Sequence, residues 1–318
     1  MSRVGLAGHF WTIGPGLAGL ARRPAVPPGR DFRVELDDPV AGRVALTGRL
    51  HDRAGARLLL LVLHGLSGTC ESPYARRFAR HAVAAGHACL RINLRGADGQ
   101  TPDFYHAGLT GDLDSVLDAP EVRAFPRVVL VGFSLGGHTA LRWAGERGGE
   151  RVAGLVAVCA PLDLERGATA LDGPGNGPYR HYLLRGLRAL ADGVERRRPD
   201  LIAAPRARRR AARGIREWDG LVVAPRWGFA SAEDYYARVS AGATLAGIRA
   251  PTWMVLSDQD PMVPADTVRP SLARRSPTTE VTWTRRGGHV GFPADLDLGR
   301  RAPRGLDAQV LGWIAEHL

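Results

Sequence analysis

The sequence predicts an α/β protein: a mainly parallel central sheet, helices on both of its faces, and a helical cap inserted near one sheet edge. Three observations carry that expectation. Short unbroken apolar runs recur from residue 58 onward, and several end in a glycine-rich turn followed by a helix-like segment. These runs lack the polar alternation of a strand with one wet face, so both faces must be covered. The rhythm stops after Pro161 and resumes only near residue 250. A gap of that length is too long for a loop without structure of its own.

In chain order, two β-like stretches around Phe32–Leu36 and Val44–Leu50 read as an antiparallel hairpin turning at Asp37-Asp38-Pro39. LLLLVL (58–63) then leads to the helical YARRFARHAVAAG (74–86), and ACLRINL (88–94) leads to a helix near Thr110–Leu117. RVVLVGF (127–133) leads to HTALRWAGE (138–146), and VAGLVAVCA (152–160) is the next strand. Strand character returns at PTWMVLS (251–257) and EVTWTR (280–285), and DAQVLGWIAEHL (307–318) reads as a closing amphipathic helix. The expected organisation is a single domain over 1–318. It has an N-terminal segment and hairpin (1–57), a core (58–160 and 250–318) and a cap insert over about 161–249.

Composition excludes several classes. All 43 basic residues are arginine, and with 32 acidic residues the formal charge is +11. A solvated, compositionally biased surface explains that charge as readily as a polyanion partner does. The run PRARRRAAR (205–213) has no interleaved aromatics on which bases would stack. It reads as a solvated cap helix, or as a surface that draws in anionic substrate or lipid, and no nucleic acid is expected. Cys70, Cys89 and Cys159 have neither the even count of a disulfide framework nor CxxC spacing. The N-terminal apolar stretch contains His9, Thr12, Pro15 and several glycines, so it reads as a segment lying on the domain and not as a leader. The expected location is cytoplasmic, with weak membrane-surface association left open by that apolar stretch and the arginine-rich cap. Gly14-Pro-Gly-Leu-Ala-Gly19 satisfies G-x-G-x-x-G, but Pro24, Pro27 and Pro28 leave no room after it for the helix a dinucleotide site requires. Without lysine there is no Walker A motif, and H-E-x-x-H is absent. No metal or organic cofactor is expected.

Gly132-Phe-Ser134-Leu-Gly136 matches G-x-S-x-G between an apolar strand and a helix, where a strained turn lifts a serine hydroxyl clear of the sheet. A serine becomes a nucleophile only when a base takes its proton, and that base needs an acid to orient it. In this architecture the chain order is Ser, acid, His. Asp260, at the end of the strand 251–257, is the expected acid, with Asp258 as runner-up; His289, in the glycine-rich RGGHVGF after the last strand, is the expected base. The oxyanion donors are expected to be the backbone N–H groups of Leu135, which follows the nucleophile, and Leu66, in the loop HGLSG (64–68). Ser67 lacks the elbow context, and His64, His106 and His138 read as structural or pocket-lining. Trp218, Trp227, Phe229 and Tyr235 read as cap core, with an acyl-pocket lining as the alternative.

With these motifs in place the chain resembles the α/β-hydrolase superfamily and, within it, the YheT-like hydrolases. The resemblance covers nearly the whole chain. It includes LHGLSGTCESPYARRFARHAVAAGH (63–87), NLRGADG (93–99), and Tyr105-His106-Ala-Gly108 before Asp112. In the cap it includes Tyr182-Leu-Leu, Ile215-Arg-Glu-Trp-Asp219, Gly228-Phe and Asp234-Tyr-Tyr236. GGHVGF (287–292) and the N-terminal His9-Phe-Trp-Thr complete it. It implies the α/β-hydrolase fold, hydrolysis of carboxylic esters, and the roles given above for Ser134, Asp260 and His289. The arginine run and LDGPGNGP (171–178) depart from the family pattern and leave the substrate open. The expected function is that of a serine esterase working through an acyl-enzyme on a small acyl- or lipid-like ester. An acyltransferase or thioesterase on the same three residues is the alternative, followed by a non-enzymatic basic binding protein.

Overall fold

The computed structural model describes residues 4–21 and 24–318. Eight strands form one sheet: β1 (Arg30–Asp38), β2 (Gly42–His51), β3 (Leu58–Leu63), β4 (Ala88–Ile92), β5 (Arg127–Phe133), β6 (Val152–Val158), β7 (Thr252–Ser257) and β8 (Thr279–Thr284). Their order is β1-β2-β4-β3-β5-β6-β7-β8. The β1–β2 hairpin is antiparallel and β2 meets β4 antiparallel; from β4 to β8 every pairing is parallel. The expected α/β architecture is therefore observed, with strand boundaries within a few residues of those read from the sequence.

The apolar runs are buried on both faces because their side chains alternate between two cores. Leu59, Leu61, Leu63, Val128 and Leu130 point into one, and Leu60, Val62, Val129, Val131 and Phe133 into the other. The first core is shared with the helix Gly111–Asp118 and the cap. The second lies under the helices Pro73–Ala84 and Leu306–His317, where Trp253 stacks on Trp313. From β3 the chain turns one way to β4 and then crosses to β5 on the other side of β3. Ligands in open α/β sheets bind beyond the carboxyl ends of the strands at such a reversal, and Leu63 and Phe133 end their strands there.

Between β6 and β7 the chain is helical throughout its regular elements, the longest being Gly177–Arg197. The entry and exit of this cap are joined: Gly242 N–H donates to Leu162 O (2.9 Å), and Leu164 N–H to Ser240 Oγ (3.0 Å). The His138 ring lies between Pro161 O and Val239 O, 3.0 Å from each. Burial pushes that imidazole down to about 4, against the opposing pull of both carbonyls.

One sequence expectation needs correction and another is extended. The arginine run is not simply solvated: within the short helix Arg206–Ala211, Arg209 is 1% exposed and binds Glu195 (2.7 Å) and Asp192 (3.2 Å). Arg206 also reaches Asp192. These contacts hold the run to the longest cap helix, so Arg209 is a structural pin. The N-terminal segment, read only as lying on the domain, forms the helix Leu6–Ala21 despite Gly14, Pro15 and Gly16. Its packing against the sheet end outweighs poor propensity. The G-x-G-x-x-G stretch lies inside that helix and forms no phosphate-binding turn.

A buried ion cluster joins the cap to the sheet. Arg95 contacts Asp112 through two nitrogens (2.5 and 3.0 Å), Asp103 (2.9 Å) and Asp38 (2.6 Å), and Arg226 from the cap grips Asp103 with two bonds (2.7 and 3.0 Å). Burial raises Asp38, but the Ala41 and Val40 amides and Arg95 outweigh it and hold the carboxyl at about 2. Removing one partner from a buried charge set leaves the others uncompensated. Asp103→Ala is therefore expected to destabilise the fold by about 3–5 kcal/mol, measured by denaturant unfolding; an effect below 1 kcal/mol would mean that the cluster is not coupled as drawn.

Candidate active site

Ser134 sits at the turn between β5 and the helix Leu135–Glu146 with φ 52° and ψ −121°, a conformation few non-glycine residues adopt. Its N–H donates to Val158 O (2.8 Å), tying the turn to β6. The flanking glycines are needed for contact reasons. A Cβ on Gly132 would overlap Gly137 Cα, and one on Gly136 would overlap Leu63 O.

The structure brings Ser134, His289 and Asp260 into one line. His289 Nε2 is 2.9 Å from Ser134 Oγ, and His289 Nδ1 is 2.8 Å from Asp260 Oδ2. Asp260 is buried, and its other oxygen accepts the N–H groups of Met262 (2.8 Å) and Val263 (2.9 Å). The carboxyl is thereby oriented as an acceptor toward the ring, so Nδ1 carries the proton and Nε2 is free to accept from the serine. The runner-up, Asp258, instead pairs with Arg269 at the surface (2.7 Å).

The loop after β3 presents Leu66 to the cavity. Gly65 N–H donates to Tyr74 Oη and Ser67 N–H to Tyr105 Oη, each at 2.8 Å. Leu66 N–H, between them, has no protein acceptor among the described residues, and neither has Leu135 N–H across the cavity. Behind this loop, Leu94 N–H donates to His64 Nε2 (3.0 Å), and the ring's Nδ1–H donates to Gly65 O (2.7 Å). Burial pushes His64 down to about 4, against the opposing pull of the Gly65 carbonyl, so the neutral ring is the form that fits.

One contribution was missed from sequence. Thr12, on the N-terminal helix, accepts the His289 N–H through Oγ1 (2.8 Å) and donates to Gly8 O (2.8 Å). Gly288 and Gly291 let this helix approach, since a Cβ on either would strike Gly8 O or Trp11 O. His9 Nδ1 meets the Tyr179 hydroxyl (2.7 Å), linking the same helix to the cap. The HFWT segment was visible in the resemblance, but its glycine-rich setting gave no helical signal. Cys159 also adjoins the line; its sulfur, Asp260 and His289 offer ligand atoms within 4.8 Å of one another. Burial, reinforced by Asp260, pushes that thiol well above its ordinary range. The thiol donates to Gly288 O (3.6 Å) and accepts the Val290 N–H (3.5 Å), which packs it between the end of β6 and the His289 loop.

A cavity of about 470 Å³ opens over Ser134, lined mainly by apolar side chains from the N-terminal helix, the β3 loop and the cap. Of the four aromatics singled out from sequence only Tyr235 lines it. Trp227, Phe229 and Tyr235 pack around His106, and Trp218 is cap core.

A match to the α/β-hydrolase family model spans residues 59–297. The YheT protein of Escherichia coli (strain K12) is 31% identical over 265 residues, covering 81% of this chain and 77% of that one. The chain belongs to the α/β-hydrolase family, in its YheT-like branch. A monoacylglycerol lipase of Saccharomyces cerevisiae is 29% identical over 261 residues, covering 77% of this chain and 57% of the yeast protein. Among solved structures, the Pyrococcus furiosus esterase Pf2001 superposes with a TM-score of 0.54 at 17% identity, covering 82% of this chain and 84% of that one; at that identity it supports the fold alone.

The His64 geometry yields a pH prediction. Its folded value lies below the unfolded 6.5, so the stability it contributes is fully present above that pH and lost as pH falls toward 4. His64→Asn is expected to flatten the pH dependence of unfolding in that window by about 1.4 kcal/mol per pH unit. Urea unfolding of both proteins at about pH 7.5, 5.5 and 4.5 checks this; parallel curves would count against it.

Proposed function

We propose that this ester hydrolase of the α/β-hydrolase family works by two-step acyl transfer, with Ser134 as nucleophile, His289 as general base and Asp260 as orienting acid. His289 Nε2 takes the hydroxyl proton as Ser134 Oγ attacks the ester carbonyl, while Asp260 holds the protonated ring in place. The tetrahedral oxyanion lies between the Leu66 and Leu135 N–H groups, each worth about 3–4 kcal/mol to the transition state. The alcohol leaves with the proton from His289. Water, activated by the same ring, then releases the acid and restores Ser134. The observation that carries this reading is the hydrogen-bonded line Ser134–His289–Asp260 ending beside two amides that have no protein partner among the described residues.

The apolar cavity favours a lipid-like acyl chain, and the N-terminal helix favours delivery from a lipid surface. Its outer side carries Leu6, Phe10, Ile13 and Leu17, exposed at helical spacing beside the cavity mouth. The chain's +11 charge suits an anionic surface.

Two outcomes are expected. Ser134→Ala abolishes labelling by a fluorophosphonate probe and lowers kcat on p-nitrophenyl esters by about 10⁴–10⁶, and Asp260→Asn lowers it by about 10⁴. Wild-type protein that is folded yet neither labels nor hydrolyses any ester sinks the mechanism. Separately, the wild type sediments with phosphatidylglycerol vesicles, whereas Leu6→Asp/Phe10→Asp stays in solution and still hydrolyses a short soluble ester at the wild-type rate. Equal sedimentation of the two proteins would remove the helix from the surface role.

A further inference from the structure

We propose that Asp219 is a specificity-determining residue: its carboxyl receives a hydrogen-bond donor, a hydroxyl or a protonated amine, carried by the substrate chain that fills the cavity over Ser134. The substrate class is then an ester whose apolar chain bears one such group. This rests on the acyl-transfer reading above.

The cavity wall supplies the argument. Five of its six tyrosines hydrogen-bond to the protein, and the sixth, Tyr182, is 61% exposed. The hydroxyls of Tyr74, Tyr105 and Tyr235 accept the N–H groups of Gly65, Ser67 and Ala107, and the Tyr179 hydroxyl meets His9. Tyr236 donates to Asp219 Oδ2 at 2.7 Å. Asp219 Oδ1 has no hydrogen-bond partner among the described residues, although the residue is only 9% exposed and lines the cavity. Ile215 and Val223, four residues to either side, present apolar side chains to the same space, joined by Ala168 and Leu171 from the helix Leu164–Asp172. Oδ1 keeps surface open to this cavity, so a donor that fills the space can reach it.

The local backbone points the same way. Asp219 opens a π-helical turn, Asp219–Val223, between two short α-helical turns. The extra residue of a π-turn rotates the side chains around it, and such turns occur frequently at functional sites. Burial raises the Asp219 carboxyl to about 7 against the Tyr236 hydrogen bond, while the nearby Asp172 raises it further and Arg216 lowers it. Near neutrality the carboxylate is accessible, and with Oδ2 taken by Tyr236 it accepts a donor at Oδ1.

The mechanism does not use this group. Ser134, His289 and Asp260 complete their chemistry without it, so its effect falls on which ester binds productively. A site built to hydrogen-bond a substrate group discriminates against the analogue that lacks it.

The test uses the full chain and p-nitrophenyl acyl esters of about four to ten carbons, ending in methyl, hydroxyl or ammonium; the same three termini are also placed on the alcohol side of a hexanoate ester. Wild type is expected to prefer a donor terminus at least tenfold in kcat/KM at some chain length in one series. Asp219→Leu should remove that preference while Ser134 still labels with the fluorophosphonate. Asp219→Asn separates the two donors: it keeps a preference for the hydroxyl and loses one for the ammonium. Wild type that labels and hydrolyses with no donor preference in either series overturns the proposal and leaves the mechanism standing, without recourse to any variant. Wild type that neither labels nor hydrolyses overturns both.

Discussion

Backbones packed too closely to admit a Cβ are the constraint on which the rest of the site depends. At Gly132 and Gly136 the strand, its turn and the following helix meet at a separation only glycine permits. At Gly288 and Gly291 the loop carrying His289 meets the N-terminal helix under the same condition. Between these contacts lies Ser134, held at positive φ by its neighbours. Strain of that kind persists only where the surroundings over-determine it. The proposed nucleophile and base are thus positioned by main chain first and by side-chain hydrogen bonds second.

The polar groups around the cavity fall into two populations. One stabilises the frame: Tyr74 and Tyr105 occupy the amides on either side of Leu66, His64 fixes the loop behind it, and the Arg95–Asp103–Arg226 cluster ties the cap down. The other has capacity left over: the amides of Leu66 and Leu135, and Asp219 Oδ1. Groups of the second kind sit in low-dielectric surroundings, where an added partner is worth more than in water.

Much of this was legible in the sequence, for identifiable reasons. The run Leu58–Leu63 is strand-length and lies between glycine-containing turns, which favours a strand buried on both faces, and the order of Ser134, Asp260 and His289 constrains where the acid and base fall. The N-terminal helix was not legible, because Gly14, Pro15 and Gly16 argue against a helix and only packing against Gly288 and Gly291 overrules them. Nor was Thr12, whose bond to the His289 amide spans 277 residues. Arg209 was misread because a cluster of arginines looks solvated until Asp192 and Glu195 are brought beneath it. The unpaired oxygen of Asp219 depends on a π-turn that no periodicity signals.

The joined ends of the cap have a consequence for how such a protein can change. Because Leu162 meets Gly242, Leu164 meets Ser240, and His138 lies between Pro161 and Val239, the insert leaves and re-enters the sheet at one closed stem. Lengthening a loop whose ends are already held together adds only about 0.6 kcal/mol per doubling. Stretches of the insert that do not touch the sheet can therefore be lengthened or trimmed while the stem keeps β6 and β7 in register, but the stretch carrying Arg226, which grips Asp103, is held. Selection can then reshape individual ceiling residues such as Asp219 while Arg226 and Tyr235 keep the cap tied to the floor on which Ser134 stands.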